Sequence, residues 1–269
     1  HPVAHSFPTR RSSDLIWDAT DRRYKKAVEK FEKALTNKAV KVEEEDSSAD
    51  FSEVVPQIEI EDAAKFSFNK AEWEQKIKRL SSIFFGNERL FAGNVSITAK
   101  LNTKYFISTE GARLRWYEPY YRIFISAKAK AEDGMSLPLY KSWFSFTEEG
   151  LPGEAEIEKA IRELIQTLND LREAPLAETY SGPAMLSGEA SGVFFHEIFG
   201  HRVEGHCLKD PNNAQTFKKS VGKEVLLEFI DVVFDPKKKE LAGKELSGYY
   251  KYDDEGVKSQ TVQVVEDGI

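Results

Sequence analysis

Three histidines stand close together in the second half of the chain, and the first is followed directly by a glutamate. His196, Glu197 and His201 form an H-E-x-x-x-H pattern, and His206 comes five residues later. Neutral imidazole nitrogens bind zinc, which lowers the pKa of a water molecule towards neutrality. A neighbouring carboxylate then takes the proton of that water as it attacks a carbonyl. These residue types are the ones that a hydrolytic zinc site needs.

The spacing of the two histidines places a condition on the backbone. In the common H-E-x-x-H motif the histidines are four residues apart and share one helix face. Residues five apart lie about 140° apart around an ideal helix. Both rings reach one metal only if the helix bulges or ends before His201, and Gly200 makes either distortion cheap. The alternative is a helix end with a solvated His201 and a core-facing His196.

Other polar residues near the histidines are weaker candidates. Cys207, the only cysteine, is expected to be a small, partly buried residue, with an accessory metal ligand as the alternative. Asp253, Asp254 and Glu255 contact substrate, orient the ligating histidines or form a solvated acidic turn. For Glu204 we expect a surface position.

The histidines are predicted to lie on a helix over residues 188–201, with Ser187 as its N-cap. A polar loop is expected over 208–220, and Asp267-Gly268 is the preferred dipeptide of a two-residue hairpin turn. Alternating or apolar runs predict three strands in this part of the chain, at 183–186, 226–234 and 260–266.

Upstream, the hydrophobic period changes along the chain. A helical period predicts helices at 17–38, 70–85 and 154–173, and Asn69 with Glu72 forms a capping box for the second of these. An alternating period between the last two helices, with turn signals at Glu110-Gly111 and Asp133-Gly134, predicts an antiparallel meander. We therefore expect an α+β fold, in which helices pack on one face of antiparallel sheets.

The expected organisation is two domains, of which the second is incomplete. Residues 1–15 have no helical or strand period and resemble a translated sequencing-adaptor leader, so we exclude them from the fold. Pro175 marks the boundary between an N-terminal domain at 16–175 and the start of a catalytic domain at 176–269. The chain stops directly after the predicted hairpin turn, which predicts an internal fragment. The compartment is not readable from such a sequence.

Composition argues against two classes of partner. The chain has 269 residues and a net charge of −7, from 38 Lys and Arg against 45 Asp and Glu. Nucleic-acid binding requires a basic face, so this balance disfavours nucleic acid as the main partner. No apolar run reaches the roughly 18 residues of a membrane span.

Two segments resemble the motifs of one peptidase family. Residues 188–205, GEASGVFFHEIFGHRVEG, are similar to the motif of the TldD/PmbA family, formerly called modulators of DNA gyrase. Residues 252–257, YDDEGV, are similar to the family's later D-D-E-G-V segment. The PmbA/TldE subunit type lacks the H-E-x-x-x-H pattern, so this chain resembles the catalytic TldD type.

The resemblance implies a zinc peptidase acting on short or unfolded peptides. By the match, His196 and His201 would be Zn²⁺ ligands and Glu197 the general base. The family's third ligand is a cysteine from a C-terminal part beyond residue 269, so this chain is expected not to complete the zinc site. Family members are homodimers or heterodimers with a PmbA/TldE-like subunit, and typical members are cytoplasmic.

One residue departs from the family pattern, and two other functions compete. Typical TldD sequences carry an acidic residue where this chain has His206, which is a spare ligand, a substrate contact or neutral drift. The first competing function is a non-catalytic scaffold that shapes a partner's site, although a scaffold has no need of Glu197. The second is direct binding to DNA or gyrase, which the acidic charge disfavours.

Overall fold

The computed structural model describes residues 12–40, 52–209 and 215–269, and the chain divides into two units, residues 1–50 and 51–269. The first unit contains helix α1 (Ser12–Val40), which begins earlier than the predicted helix at 17–38 and includes the last residues of the predicted leader. Its apolar side chains, among them Trp17, Tyr24 and Phe31, are exposed. Residues 1–11, 41–51 and 210–214 lie outside the described residues.

The second unit is built on a four-stranded sheet: β1 (Ile58–Ile60), β2 (Leu90–Ile107), β3 (Arg113–Lys130) and β4 (Ser136–Ser145). Strand β3 pairs antiparallel with β2 and β4, with Val95 opposite Ile125 and Ile97 opposite Ile123. Gly111 and Gly134 take positive φ angles of 108° and 88° in the two hairpin turns, which confirms the turn signals. Strand β1, which the sequence did not predict, pairs parallel with the start of β3 and extends the predicted antiparallel meander.

Helices α2 (Lys70–Ser82) and α3 (Glu154–Glu173) cover one face of this sheet, as predicted. The side chain of Asn69 accepts a hydrogen bond of 3.2 Å from the backbone N–H of Glu72, which confirms the N-cap. Alternate residues of β3 meet residues of α3 that recur every three or four positions. The core that they form comprises Tyr121, Ile123, Ile125, Ala127, Ala129, Ile157, Ile161, Leu164 and Leu168, together with Trp73 and Leu80 of α2. Each large aliphatic residue in it contributes about 1.5–3 kcal/mol by burial.

The remaining elements are short: α4 (Gly188–Ile198), α5 (Gly205–Lys209), β5 (Val232–Phe234), β6 (Glu240–Leu241), β7 (Lys244–Glu245) and β8 (Val262–Val265). Strands β5 and β8 pair antiparallel, and β6 and β7 form a small hairpin. Mixed helices and antiparallel strands confirm the α+β class. No helix among the described residues is both long and apolar enough to cross a membrane.

Two of the predicted strands differ from the structure. Residues 183–186 form no strand, since Pro183 has no N–H to donate and Met185 is fully exposed. Of 226–234 only the last three residues are strand, because the carbonyl of Gly268 accepts hydrogen bonds from Val225 and Leu226. The earlier part of that segment therefore forms a turn and does not pair with a neighbouring strand.

The predicted hairpin turn at Asp267-Gly268 is confirmed. Both residues take positive φ angles, 50° and 80°, as a two-residue hairpin turn of type I′ requires. Glu266 and Ile269 exchange both backbone hydrogen bonds across it, at 3.0 and 2.9 Å.

Candidate metal centre

The helix that carries the histidines begins as predicted and ends early. Ser187 caps α4 by accepting a hydrogen bond from the backbone N–H of Ala190 at 3.4 Å. The helix ends at Ile198, and a single 3-10 turn over Gly200–Arg202 follows. Phe199, between the two, is buried and packs against Phe217 at a ring distance of 5.3 Å. The predicted helix over 188–201 is therefore wrong in its last three residues.

This early end brings the two histidine rings together. The ring centroids of His196 and His201 lie 4.4 Å apart, inclined at 72°. Ligand atoms of His196, Glu197 and His201 all lie within 4.8 Å of one another, and all three residues are exposed. A core-facing His196 is therefore excluded. Two ligands of one zinc ion lie at most about 4.2 Å apart, so this donor set fits a metal with a small side-chain adjustment.

Glu204 supports the second histidine, a contact that the sequence analysis missed. Its carboxylate Oε1 lies 2.8 Å from Nδ1 of His201. A carboxylate in this position accepts the Nδ1–H of the ring and leaves Nε2 with its lone pair free for a metal. The signal was present in the sequence as an acidic residue three positions after His201, where the chain turns back on itself.

His206 and Cys207 gather on the other oxygen of the same carboxylate. Oε2 of Glu204 lies 3.4 Å from Nε2 of His206 and 3.9 Å from Sγ of Cys207. The sulfur and the His206 nitrogen are 3.4 Å apart. Cys207 is half-buried, as expected, and His206 is exposed. The structure therefore has two adjacent groups of metal-ligating side chains, and Glu204 contacts both.

The acidic turn makes its described contacts elsewhere. Asp253 accepts hydrogen bonds of 2.9 Å from the backbone N–H groups of Glu255 and Val257, so its carboxylate stabilises its own turn. The side chain of Asp254 is fully exposed, 3.6 Å from Nζ of Lys104 on β2. Roles for Asp253, Asp254 and Glu255 towards substrate or ligands stay a prediction.

Residues 252–257 pack against the four-stranded sheet of the same unit. Tyr252 is buried against Trp116, with ring centroids 5.5 Å apart, and with Leu114 it forms a second small core. Gly256 has a φ of 76°, and a Cβ there would lie 2.4 Å from the ring of Phe106. Only glycine fits both the angle and the space.

Charged side chains make further contacts between residues 251–252 and strand β1. Lys251 donates hydrogen bonds to Glu59 and Glu61 around β1, and the Tyr252 hydroxyl donates one of 2.5 Å to Glu59. The hydrogen bonds from Lys251 and Tyr252 hold the pKa of Glu59 below its ordinary value. Burial, together with the Glu59 carboxylate, raises the pKa of Tyr252 to about 12. Burial acts to lower the pKa of Lys251, but the carboxylates of Glu59 and Glu61 raise it overall.

Two imidazoles and a carboxylate presented at a helix end are typical of metal-dependent hydrolases. Residues 179–269 match the family model for the PmbA/TldA metallopeptidase C-terminal domain. This part of the chain is therefore similar to the C-terminal domain of TldD/PmbA proteins.

Curated relatives of this chain are named metalloproteases. A protein of Archaeoglobus fulgidus named metalloprotease is 29% identical over 114 residues, which is 42% of this chain and 25% of that protein. A metalloprotease of Methanocaldococcus jannaschii is 35% identical over 85 residues, 32% of this chain and 17% of that protein. The matched segments thus span a quarter or less of these relatives. Both names describe a metalloprotease, and that activity is the one given for those relatives.

Two solved structures share the fold. A Bacteroides thetaiotaomicron protein described as a candidate modulator of DNA gyrase aligns with a TM-score of 0.55 at 13% identity, over 75% of this chain and 44% of its own. A Thermotoga maritima protein with the same description aligns with a TM-score of 0.50 at 19% identity, over 89% of this chain and 52% of its own. At these identities the likeness concerns the fold.

Proposed function

We propose that this chain carries the H-E-x-x-x-H part of a zinc-dependent peptidase of TldD type, which hydrolyses short or unfolded peptides. The supporting observation is that the end of α4 before His201 brings the donor atoms of His196, Glu197 and His201 within 4.8 Å of one another. A hydrolytic site needs this combination of two neutral ligands and one free carboxylate.

His196 and His201 would hold the metal through their ring nitrogens, and Glu204 would keep His201 in the tautomer that leaves Nε2 unprotonated. When bound, a zinc ion polarises a peptide carbonyl and lowers the pKa of a water molecule. Glu197 then accepts the proton of the attacking water and returns it to the leaving amine.

The exposure of the centre suits a flexible substrate. All three residues are open to solvent, so an extended peptide reaches them without displacing a packed side chain. We propose that the peptide binds along a sheet edge, because backbone hydrogen bonds there accept many sequences.

Apolar side chains of α4, among them Val193, Phe194 and Ile198, are exposed beside the centre. They are consistent with assembly as a homodimer or with a PmbA/TldE-like subunit. A domain boundary at Pro175 and a cytoplasmic location belong to the same proposal.

Glu197→Gln tests the mechanism against the scaffold alternative. The variant keeps the size of the side chain and removes the base, so peptide hydrolysis falls by about 10²–10⁴-fold while metal binding persists. The assay uses the product of the complete open reading frame as well as this chain. Glu189→Gln, in the first turn of the same helix, is the matched control and retains activity. Equal turnover in the Glu197→Gln variant and its parent would contradict the proposed role.

A further inference from the structure

We propose that Glu204, His206 and Cys207 form a second metal centre, distinct from the pair of His196 and His201 and taking a zinc-class divalent cation. The three residues lie within four positions of one another, at the start of α5, and their ligand atoms all lie within 4.8 Å of one another. One thiol sulfur, one imidazole nitrogen and one carboxylate oxygen are ligands that zinc takes in proteins.

The distances match the edges of a tetrahedral site. Bond lengths of about 2.3 Å to sulfur and about 2.0–2.2 Å to nitrogen and oxygen give ligand–ligand separations of about 3.3–3.6 Å. The observed separations are 3.4 Å from Glu204 Oε2 to His206 Nε2 and 3.4 Å from His206 Nε2 to Cys207 Sγ. The third, from Cys207 Sγ to Glu204 Oε2, is 3.9 Å. Two edges therefore have the required length, and the third closes with a shift of a few tenths of an ångström.

The backbone already holds the three residues in place. The N–H of Cys207 donates to the carbonyl of Glu204 at 3.0 Å, and the carbonyl of Cys207 accepts from the side-chain amide of Gln215 at 2.9 Å. Binding would convert the Cys207 thiol to a thiolate, with its proton released to solvent. Three protein ligands leave the fourth position of the tetrahedron for water.

Glu204 would connect the two centres. Its Oε1 contacts His201 while its Oε2 faces the second centre, so one carboxylate orients a ligand of the first metal and binds the second. A cation at the second centre would fix the rotamer of Glu204 and thereby the ring of His201.

Cobalt substitution tests the second centre, because the chain has a single cysteine. We titrate Co²⁺ into the metal-free chain of 269 residues and follow the near-ultraviolet sulfur-to-cobalt charge-transfer band, which reports a Cys207–metal bond alone. The band is expected to saturate at one equivalent, to disappear in Cys207→Ser and to persist in His196→Ala. His206→Ala, a change at an exposed side chain, should weaken cobalt binding at least about tenfold.

Two results would overturn the proposal. Absence of the band at saturating Co²⁺, in a chain whose circular dichroism shows it folded, would mean that Cys207 binds no metal. Loss of the band in His196→Ala as well as in Cys207→Ser would mean that Cys207 belongs to the histidine centre. Failure of the histidine centre is read separately, from zinc bound by Cys207→Ser with and without His196→Ala.

Discussion

The sheet-and-helix core and the histidine segment of the same unit differ in how deeply their side chains are buried. In the core, Ile125, Ile157 and Leu168 are completely buried, and inward-facing residues of the sheet form one buried cluster with residues of the helices. In α4, by contrast, no residue is buried, and Val193 keeps 59% of its surface exposed. Packing therefore determines the geometry of the core. Nearby hydrogen bonds and side-chain contacts, together with the packing of Phe199 against Phe217, determine the geometry of the centre.

The comparison predicts that the core carries stability and the histidine segment carries metal binding. Leu168→Ala leaves a cavity between α3 and the sheet, so the free energy of unfolding falls by about 2–5 kcal/mol. Leu171→Ala on the same helix truncates a side chain that is 41% exposed and should cost less than about 1 kcal/mol. Denaturant unfolding measures both. A comparable loss in the two variants would contradict the assignment of the core.

Gly256→Ala tests whether residues 252–257 belong structurally to the core. The added Cβ meets the Phe106 ring and the backbone has a φ of 76°, so we expect a loss of about 1–3 kcal/mol. Gly134→Ala is the matched control, because Gly134 has a φ of 88° with open space around it. Thermal unfolding should show a larger loss for Gly256→Ala, and equal losses would mean that contact with Phe106 contributes nothing.

Glu204→Gln should weaken metal binding and leave the stability of the metal-free fold nearly unchanged. The neutral amide is a weaker acceptor for the Nδ1–H of His201, and its NH₂ group can also face that nitrogen and favour the other tautomer, so the affinity of the histidine centre for zinc falls about 10–100-fold. Calorimetric titration in a Cys207→Ser background, with the product of the complete open reading frame, isolates this centre. The free energy of unfolding without metal should change by no more than about 0.5 kcal/mol. Unchanged zinc affinity would show that Glu204 does not position His201.

The smallest expected effect is the loss in acid of the stability that Glu59 of β1 contributes through its contacts with Lys251 and Tyr252. The pKa of Glu59 is lowered in the folded chain, so its contribution to stability is present above the ordinary carboxyl pKa and is lost as pH falls through the lowered value. Glu59→Gln should therefore cost about 1 kcal/mol or less at neutral pH, and nothing in acid below that pKa. Chemical unfolding at both pH values checks this. A difference that grows in acid would have the wrong sign.

Sequence patterns predicted the elements whose determinants are local. The Asn69 cap, the Asp267-Gly268 turn and the antiparallel pairing of β2, β3 and β4 follow from side-chain chemistry, positive φ angles and strict alternation. What they missed depends on distant partners. Strand β1 joins the sheet across more than fifty residues, and the carbonyl of Gly268 diverts the segment before β5.

The candidate centre shows the same division. The two imidazoles and Glu197 were evident from the spacing, and so were the two ways in which His201 could reach His196. Which of the two occurs depends on the burial of Phe199 against Phe217, which no local pattern reveals. The contact of Glu204 with His201 depends in turn on the turn that follows.

We propose that His196 and His201 hold a metal. The most direct measurement is the zinc content of the Cys207→Ser protein made from the complete open reading frame, with and without His196→Ala. We predict about one zinc per chain in the parent and none after His196→Ala, with both proteins equally folded by circular dichroism. Zinc retained after His196→Ala, or no zinc in the parent, would contradict metal binding by His196 and His201.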